Sequence, residues 1–185
     1  MKKGTIKLLL ISTFILISLI VFVKSYSSLS SVNEGVNNKE TDINVQLNKK
    51  REQIDNICGL YKEYSKDEEM IENLEELNQK LKNSMDISIK AKEKINKNLS
   101  NIINQLFDKI DDELLNDERI VSSINELLKT EKRLITAKNN YNEAVENYNS
   151  KVKSFPTSII ASFRGFKTKD KFESIKIKNI LEGEE

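Results

Sequence analysis

Six acidic residues, Asp67, Glu68, Glu69, Glu72, Glu75 and Glu76, form the densest set of groups in this sequence that could do chemistry. Carboxylates three and four residues apart share a helix face, and hard cations such as Ca²⁺ and Mg²⁺ take oxygen ligands. Acids at a helix start are also stabilised by the positive end of the helix, so the expectation is a solvated helix N-terminus with no metal bound. Histidine is absent and Cys58 is the only cysteine. That removes Ser-His-Asp and Cys-His catalysis, histidine-bearing zinc sites, carboxylate-histidine di-iron sites and any internal disulfide. Cys58 reads as a small apolar residue beside a helix seam. The sequence carries no glycine-rich phosphate loop and no nucleotide fingerprint. Catalysis by carboxylates or tyrosines alone would leave no spacing signature, so no catalytic residue and no cofactor is assigned.

Two doublets stand out, Tyr141-Asn142 and Tyr148-Asn149, seven residues apart. A tyrosine can bury its ring while its hydroxyl reaches a partner, and a neighbouring asparagine can bridge to a facing element. The expected role is structural, fixing register between helices. The tyrosines belong to a run with constant spacing, Ile120, Leu127, Leu134, Tyr141, Tyr148 and Phe155, which traces one seam on a helix. Ile124, Leu128, Ile135, Ala144, Val145 and Val152 support it. Pro156, the only proline, ends this helix because its ring and missing N–H stop the ladder and constrain Phe155. Beyond the corner lie Ile159, Ile160, Ala161, Phe163, Gly165 and Phe166. Tyr141, Asn142, Tyr148, Asn149, Phe155, Pro156, Gly165 and Phe166 are therefore the candidate interaction or structural corner. A second reading makes Tyr141, Tyr148, Phe155 and Phe166 the lining of a ligand-sensing pocket.

The elements that position these residues follow from pattern. Low glycine and proline, with 32% charged residues, predict long helices and few turns. Tyr26, Leu29, Asn33, Val36, Glu40, Ile43, Leu47, Lys50, Ile54, Ile57, Tyr61 and Tyr64 alternate steps of three and four, predicting one long amphipathic helix. Ser27, Ser28, Ser30, Ser31 and Gly35 suggest a hinge at its start. A second helix is predicted from the break at Ser65–Glu68, with Met70, Leu74, Leu77 and Leu81 on one face. Ser84, Ser88 and Ala91 continue that face. The stripe shifts to Leu99, Ile102, Leu106 and Ile110, widened by Ile103 and Phe107, in the manner of a stutter within a continuing helix. Asn116 or Asp117 caps the third helix.

Residues 1–24 form a predicted N-terminal transmembrane anchor. Leu8–Val23 is apolar apart from Ser12, Thr13 and Ser18, and Lys7 and Lys24 can snorkel at its ends to reach bilayer thickness. A cleaved signal peptide is the weaker alternative, because the residues before a cut near Ser25 fit poorly. Lys2, Lys3 and Lys7 precede the span, so the positive-inside rule places the N-terminus in the cytoplasm and the bulk of the chain outside. With 30 basic and 29 acidic residues the net charge is +1, which gives no global field for nucleic acid. Residues 25–166 make the helical bundle, and 167–185 read as a charged mobile C-terminal tail or a short docking segment.

Tyr26-Ser27-Ser28-Leu29, Asn44–Lys50, Ile54–Ile57, and Tyr64 with Glu68 resemble the first half of the bacterial LemA family pattern. Thr130-Glu131, Ala137, Tyr141-Asn142, Val145, Tyr148-Asn149, Ser154-Phe155-Pro156, Ile160-Ala161 and Gly165-Phe166 resemble its second half, and Lys171-Phe172-Glu173 its closing segment. Asn44, Asp55, Glu63 and Asp67 depart from the aspartate, proline, glycine and histidine usual there. The resemblance implies a membrane-anchored antiparallel helical bundle in the bacterial cell membrane, with a poorly defined activity. The reading is an all-α chain: one transmembrane helix, then three long helices and a shorter C-terminal one, four-helix-bundle-like. The expected function is a non-enzymatic scaffold or interaction module, touching the bilayer through residues 8–23 and docking other membrane or envelope proteins. Homo-oligomerisation through residual seam surface stays open.

Overall fold

The structure, a computed structural model, describes residues 3–64, 68–82 and 87–181. All six elements among the described residues are α-helices: α1 (Lys3–Tyr61), α2 (Glu68–Lys82), α3 (Ile89–Phe107), α4 (Asp112–Leu115), α5 (Glu118–Lys153) and α6 (Thr157–Arg164). Two compact units are distinguished, one of residues 1–38 and 143–169, the other of residues 39–142 and 170–185.

α1 carries two sequence regimes in one unbroken helix of 59 residues. From Leu8 to Val23 it is apolar on nearly all sides and entirely exposed. From Leu29 onwards it is amphipathic, and Leu29, Val36, Ile43, Leu47, Lys50, Ile54, Ile57 and Tyr61 are buried as the three–four spacing predicts. No break occurs at the serines and Gly35, where the sequence suggests a hinge; helical hydrogen bonding passes through them. Tyr64 lies beyond the helix end and is half exposed.

The predicted second helix is two helices. Ser88 ends the continuity, because its hydroxyl accepts the Ala91 N–H and so caps a new helix, α3. A serine that looks like a small residue in a continuing stripe is equally a cap, and here capping wins. α2 and α3 pack on each other. α2 buries Ile71, Leu74, Asn78 and Leu81, while α3 buries Leu99, Ile103, Leu106 and Phe107. The inward stripe of α3 thus runs through Ile103 and Phe107, with Ile102 at its margin and Ile110 beyond the helix end. Ser65 and Asp67 of the predicted break, either of which could cap the second helix, and Ser84 fall outside the described residues.

α5 begins after Asp117, whose carboxylate accepts the Arg119 N–H at 2.8 Å, as the sequence indicates. Ile120, Ile124, Leu127, Leu134, Tyr141, Val145 and Tyr148 are buried along it. The seam stops there. Phe155, its predicted last member, is 82% exposed, because α5 ends at Lys153 and the chain has left the helical path before Pro156.

Candidate functional site

The corner belongs to the first unit. Ser154 donates from its hydroxyl to the Ser150 carbonyl at 2.7 Å and accepts the Ser158 N–H at its own carbonyl. These bonds close the end of α5 and start α6, with Pro156 in the cap position and a cis Phe155-Pro156 bond. α6 ends at Gly165, whose φ of 75° is left-handed, and the Phe166 N–H returns to the Ala161 carbonyl at 2.9 Å. Only a glycine adopts this conformation at no steric cost. Ile160 and Ala161 face inward, whereas Phe155, Ile159 and Phe163, at four-residue spacing, are exposed at 82, 59 and 80%. The Phe166 ring meets Tyr26 edge-on at 6.3 Å, and the Arg164 guanidinium lies 5.1 Å from the same tyrosine ring. Lys151 donates to the Ser28 hydroxyl at 2.7 Å.

The doublets do not join helices; they hold the extended segment after Gly165. In the first unit the Tyr148 hydroxyl donates to the Lys167 carbonyl at 2.9 Å. Asn149 donates to the Lys169 carbonyl and accepts the Lys169 N–H, both at 2.8 Å. Lys169 in turn places its ammonium 5.5 Å from the Tyr148 ring centre and donates to Asn37. Burial pushes the Tyr148 hydroxyl above its ordinary pKa.

The second unit repeats the arrangement. The Tyr141 hydroxyl donates to the Asp170 carbonyl at 3.0 Å, and Asn142 pairs with both the carbonyl and the N–H of Phe172, at 2.9 and 2.8 Å. Burial, with smaller contributions from the charges of Glu40 and Asp170, pushes the Tyr141 hydroxyl up to about 12. On α3, Asn104 donates to the Lys176 carbonyl and accepts the Lys178 N–H, while Glu93 accepts the Glu173 N–H. Each asparagine amide thus satisfies main-chain groups that extended chain leaves unpaired. Phe172 and Ile177 are buried beneath the segment. The sequence reads 167–185 as a charged mobile tail or a short docking segment; among the described residues these hydrogen bonds hold its backbone at positions from Lys167 to Lys178. Charged side chains hid it, because the grip is on the backbone.

The aromatic residues named for a ligand pocket have separate neighbours. Tyr148 spends its hydroxyl on Lys167, Phe166 packs on Tyr26, and Phe155 stands in the open, where a ring cannot wall a cavity. Among the acids, Glu75 pairs with Lys62 and Glu76 with Lys80. No group of three or more acidic, cysteine or histidine ligands converges among the described residues; Asp67 lies outside them, as does the Glu68 side chain.

Sequence reasoning passed over one polar centre in the second unit. Lys50, fully buried, donates at 2.8 Å to Asn96 Oδ1 and to Ser100 Oγ, and its ammonium lies 3.0 Å from Glu131 Oε2. Desolvation lowers the lysine pKa, with Glu131 acting in the opposite direction. Asn96 Nδ2 and Glu131 Oε1 have no hydrogen-bond partner among the described residues. The signal was a lysine in the α1 seam, which beside Asn33 and Glu40 reads as one of three tolerated polar exceptions until Glu131 on α5 and Asn96 on α3 come into view. Cys58 is buried as expected, and burial raises its thiol to about 12. The exposed end of the unit holds a second network, in which Tyr64 and Arg119 both donate to Asp117. The hydrogen bonds from Arg119 and then Tyr64 hold the Asp117 carboxyl well below the usual range.

Compared with known families, residues 39–180 match the model of the LemA family. No curated protein matches the chain.

Proposed function

From the premise that this chain belongs to the LemA family, we propose that it is a single-span membrane protein that holds a non-enzymatic helical module at the bacterial membrane for docking other membrane or envelope proteins. The observation that carries the reading is α1. Every residue of Leu8–Val23 is exposed, yet the same helix continues into a seam buried on one side. Apolar surface of that extent in water would be strongly unfavourable, and a bilayer removes the cost. Lys7 and Lys24 sit where headgroups would meet them. The module fits an antiparallel bundle. In the second unit Lys50 of α1 pairs with Glu131 of α5, and the charge of Glu40 acts on Tyr141, so increasing numbers on α1 meet decreasing numbers on α5. The polar interior is spent on holding helices and the C-terminal segment together, which suits a scaffold.

Alkaline extraction of membranes tests the anchor. The full chain stays with the bilayer, and deletion of residues 2–24 releases it; a full chain that extracts with peripheral proteins ends this reading. An impermeant thiol reagent applied to Lys176→Cys in intact cells tests the outward orientation, since labelling only after lysis would place the module inside. For the docking role, crosslinking in membranes should give a partner adduct lost on replacing exposed module residues. An absence of discrete adducts would oppose it.

A further inference from the structure

We propose that the corner helix α6 lies on the membrane that α1 enters, with Phe155, Ile159 and Phe163 inserted into the interfacial layer of the lipid. The inference rests on the membrane-anchor reading and adds a second point of attachment. Three large apolar side chains at four-residue spacing are all more than half exposed, while Ile160 and Ala161 on the other side are buried. What covers them follows from position. Tyr26, two residues beyond Lys24, touches both Arg164 and Phe166, which straddle the end of α6. Tyrosine at this point is where an interfacial aromatic belt would fall. α5 approaches the same level, because Lys151 bonds to Ser28, whereas Asn149, through the Lys169 it holds, reaches Asn37. Continuing from Lys151 towards Phe155 therefore moves along α1 towards its apolar part.

Charge agrees. From Asn147 to Lys169 the sequence contains no acid, but has Lys151, Lys153, Arg164, Lys167 and Lys169, and no acid precedes Glu34 at the other end of the unit. An apolar face whose neighbours in sequence are Lys153, Arg164 and Lys167, with no carboxylate among them, is suited to anionic headgroups, more than to a protein surface of mixed charge. A span and a short interfacial helix form two non-collinear attachments. Together they fix the rotation of the first unit about the membrane normal, which a single span leaves free.

The chain has no tryptophan, so one introduced indole reports on one place. The full chain is reconstituted into vesicles of phosphatidylcholine and phosphatidylglycerol, as Phe163→Trp and, separately, Leu16→Trp. Phe163 is exposed, so its replacement does not disturb folding. The expected result is blue-shifted emission from the Phe163→Trp variant, most of which is lost when lipids brominated near the headgroup replace ordinary ones. If the Leu16→Trp variant is quenched by bromolipid while the Phe163→Trp variant responds only to aqueous acrylamide, the inference fails and the anchor stands. If the indole at position 163 is shielded from both quenchers, protein covers the face and the inference fails likewise. Loss of bromolipid quenching in both variants removes the anchor as well.

Discussion

Lys50→Met should cost more stability than any other single change along α1. The lysine reaches Asn96, Ser100 and Glu131 with no exposed surface of its own. Methionine fills a similar volume but leaves a buried carboxylate without its cation, which costs about 3–5 kcal/mol. Asn96 Oδ1 loses its donor too, a further penalty of about 1–3 kcal/mol where relaxation does not relieve it. Among the described residues Glu131 has no second partner to fall back on, since its Oε1 is unpaired already. In urea unfolding followed by circular dichroism in mild detergent, with a slope of about 2 kcal/mol per molar, the midpoint falls by roughly 1.5–4 M, the upper end applying where the Asn96 penalty is not relieved. The double variant Lys50→Met/Glu131→Gln recovers a large part of that loss, because no charge is then stranded. If Lys50→Met unfolds at the wild-type midpoint, or Glu131→Gln added to it restores nothing, the buried pair does not exist as described.

Three further outcomes follow from the same geometry. Asn142→Leu removes both bonds to Phe172 and strands the Phe172 N–H, so amide exchange across 170–178 accelerates, by an amount corresponding to about 1–3 kcal/mol of local stability; unchanged exchange refutes the grip. Tyr141 holds its proton until about pH 12, against an ordinary value near 10. The folded pKa is raised, so the contribution of this hydroxyl to stability is intact below about pH 10 and is lost as pH rises through 12. Difference absorbance of tyrosinate in wild type and Tyr141→Phe measures this, and a missing late step contradicts it. The Cys58 thiol is buried and its pKa raised to about 12, so Ellman's reagent at pH 8 reacts fully only after denaturation; rapid reaction of the native protein would show the site to be open.

Periodicity made α1 and α5 legible, because a buried seam must repeat with the helix, and Leu29 through Tyr61 and Ile120 through Tyr148 obey it. It failed at Phe155, where the heptad count runs on after the helix has ended. It failed again at Ser88, since the same side chain serves as small filler or as cap, and only backbone geometry decides between them. Tyr141, Asn142, Tyr148 and Asn149 stand out in the sequence, but as links between helices, which is the wrong partner. They hold main-chain atoms, and a carbonyl or N–H leaves no mark in a sequence. Lys50 was visible and Glu131 was visible; their pairing joins positions 50 and 131, which no local pattern connects.

A grip on the backbone also decides which mutations the segment from Lys167 to Lys178 can absorb. Asn142 and Asn149 bind the peptide groups of Phe172 and Lys169 whatever side chains those residues carry. Exposed positions such as Thr168 and Glu173 accordingly tolerate drift in charge and size, while Phe172 and Ile177 must stay apolar. Proline is the exception to this tolerance. At 169, 172 or 178 it would delete the N–H that an asparagine accepts, and at 173 the N–H that Glu93 accepts, so a scan of single prolines would pick out those four positions among permissive neighbours.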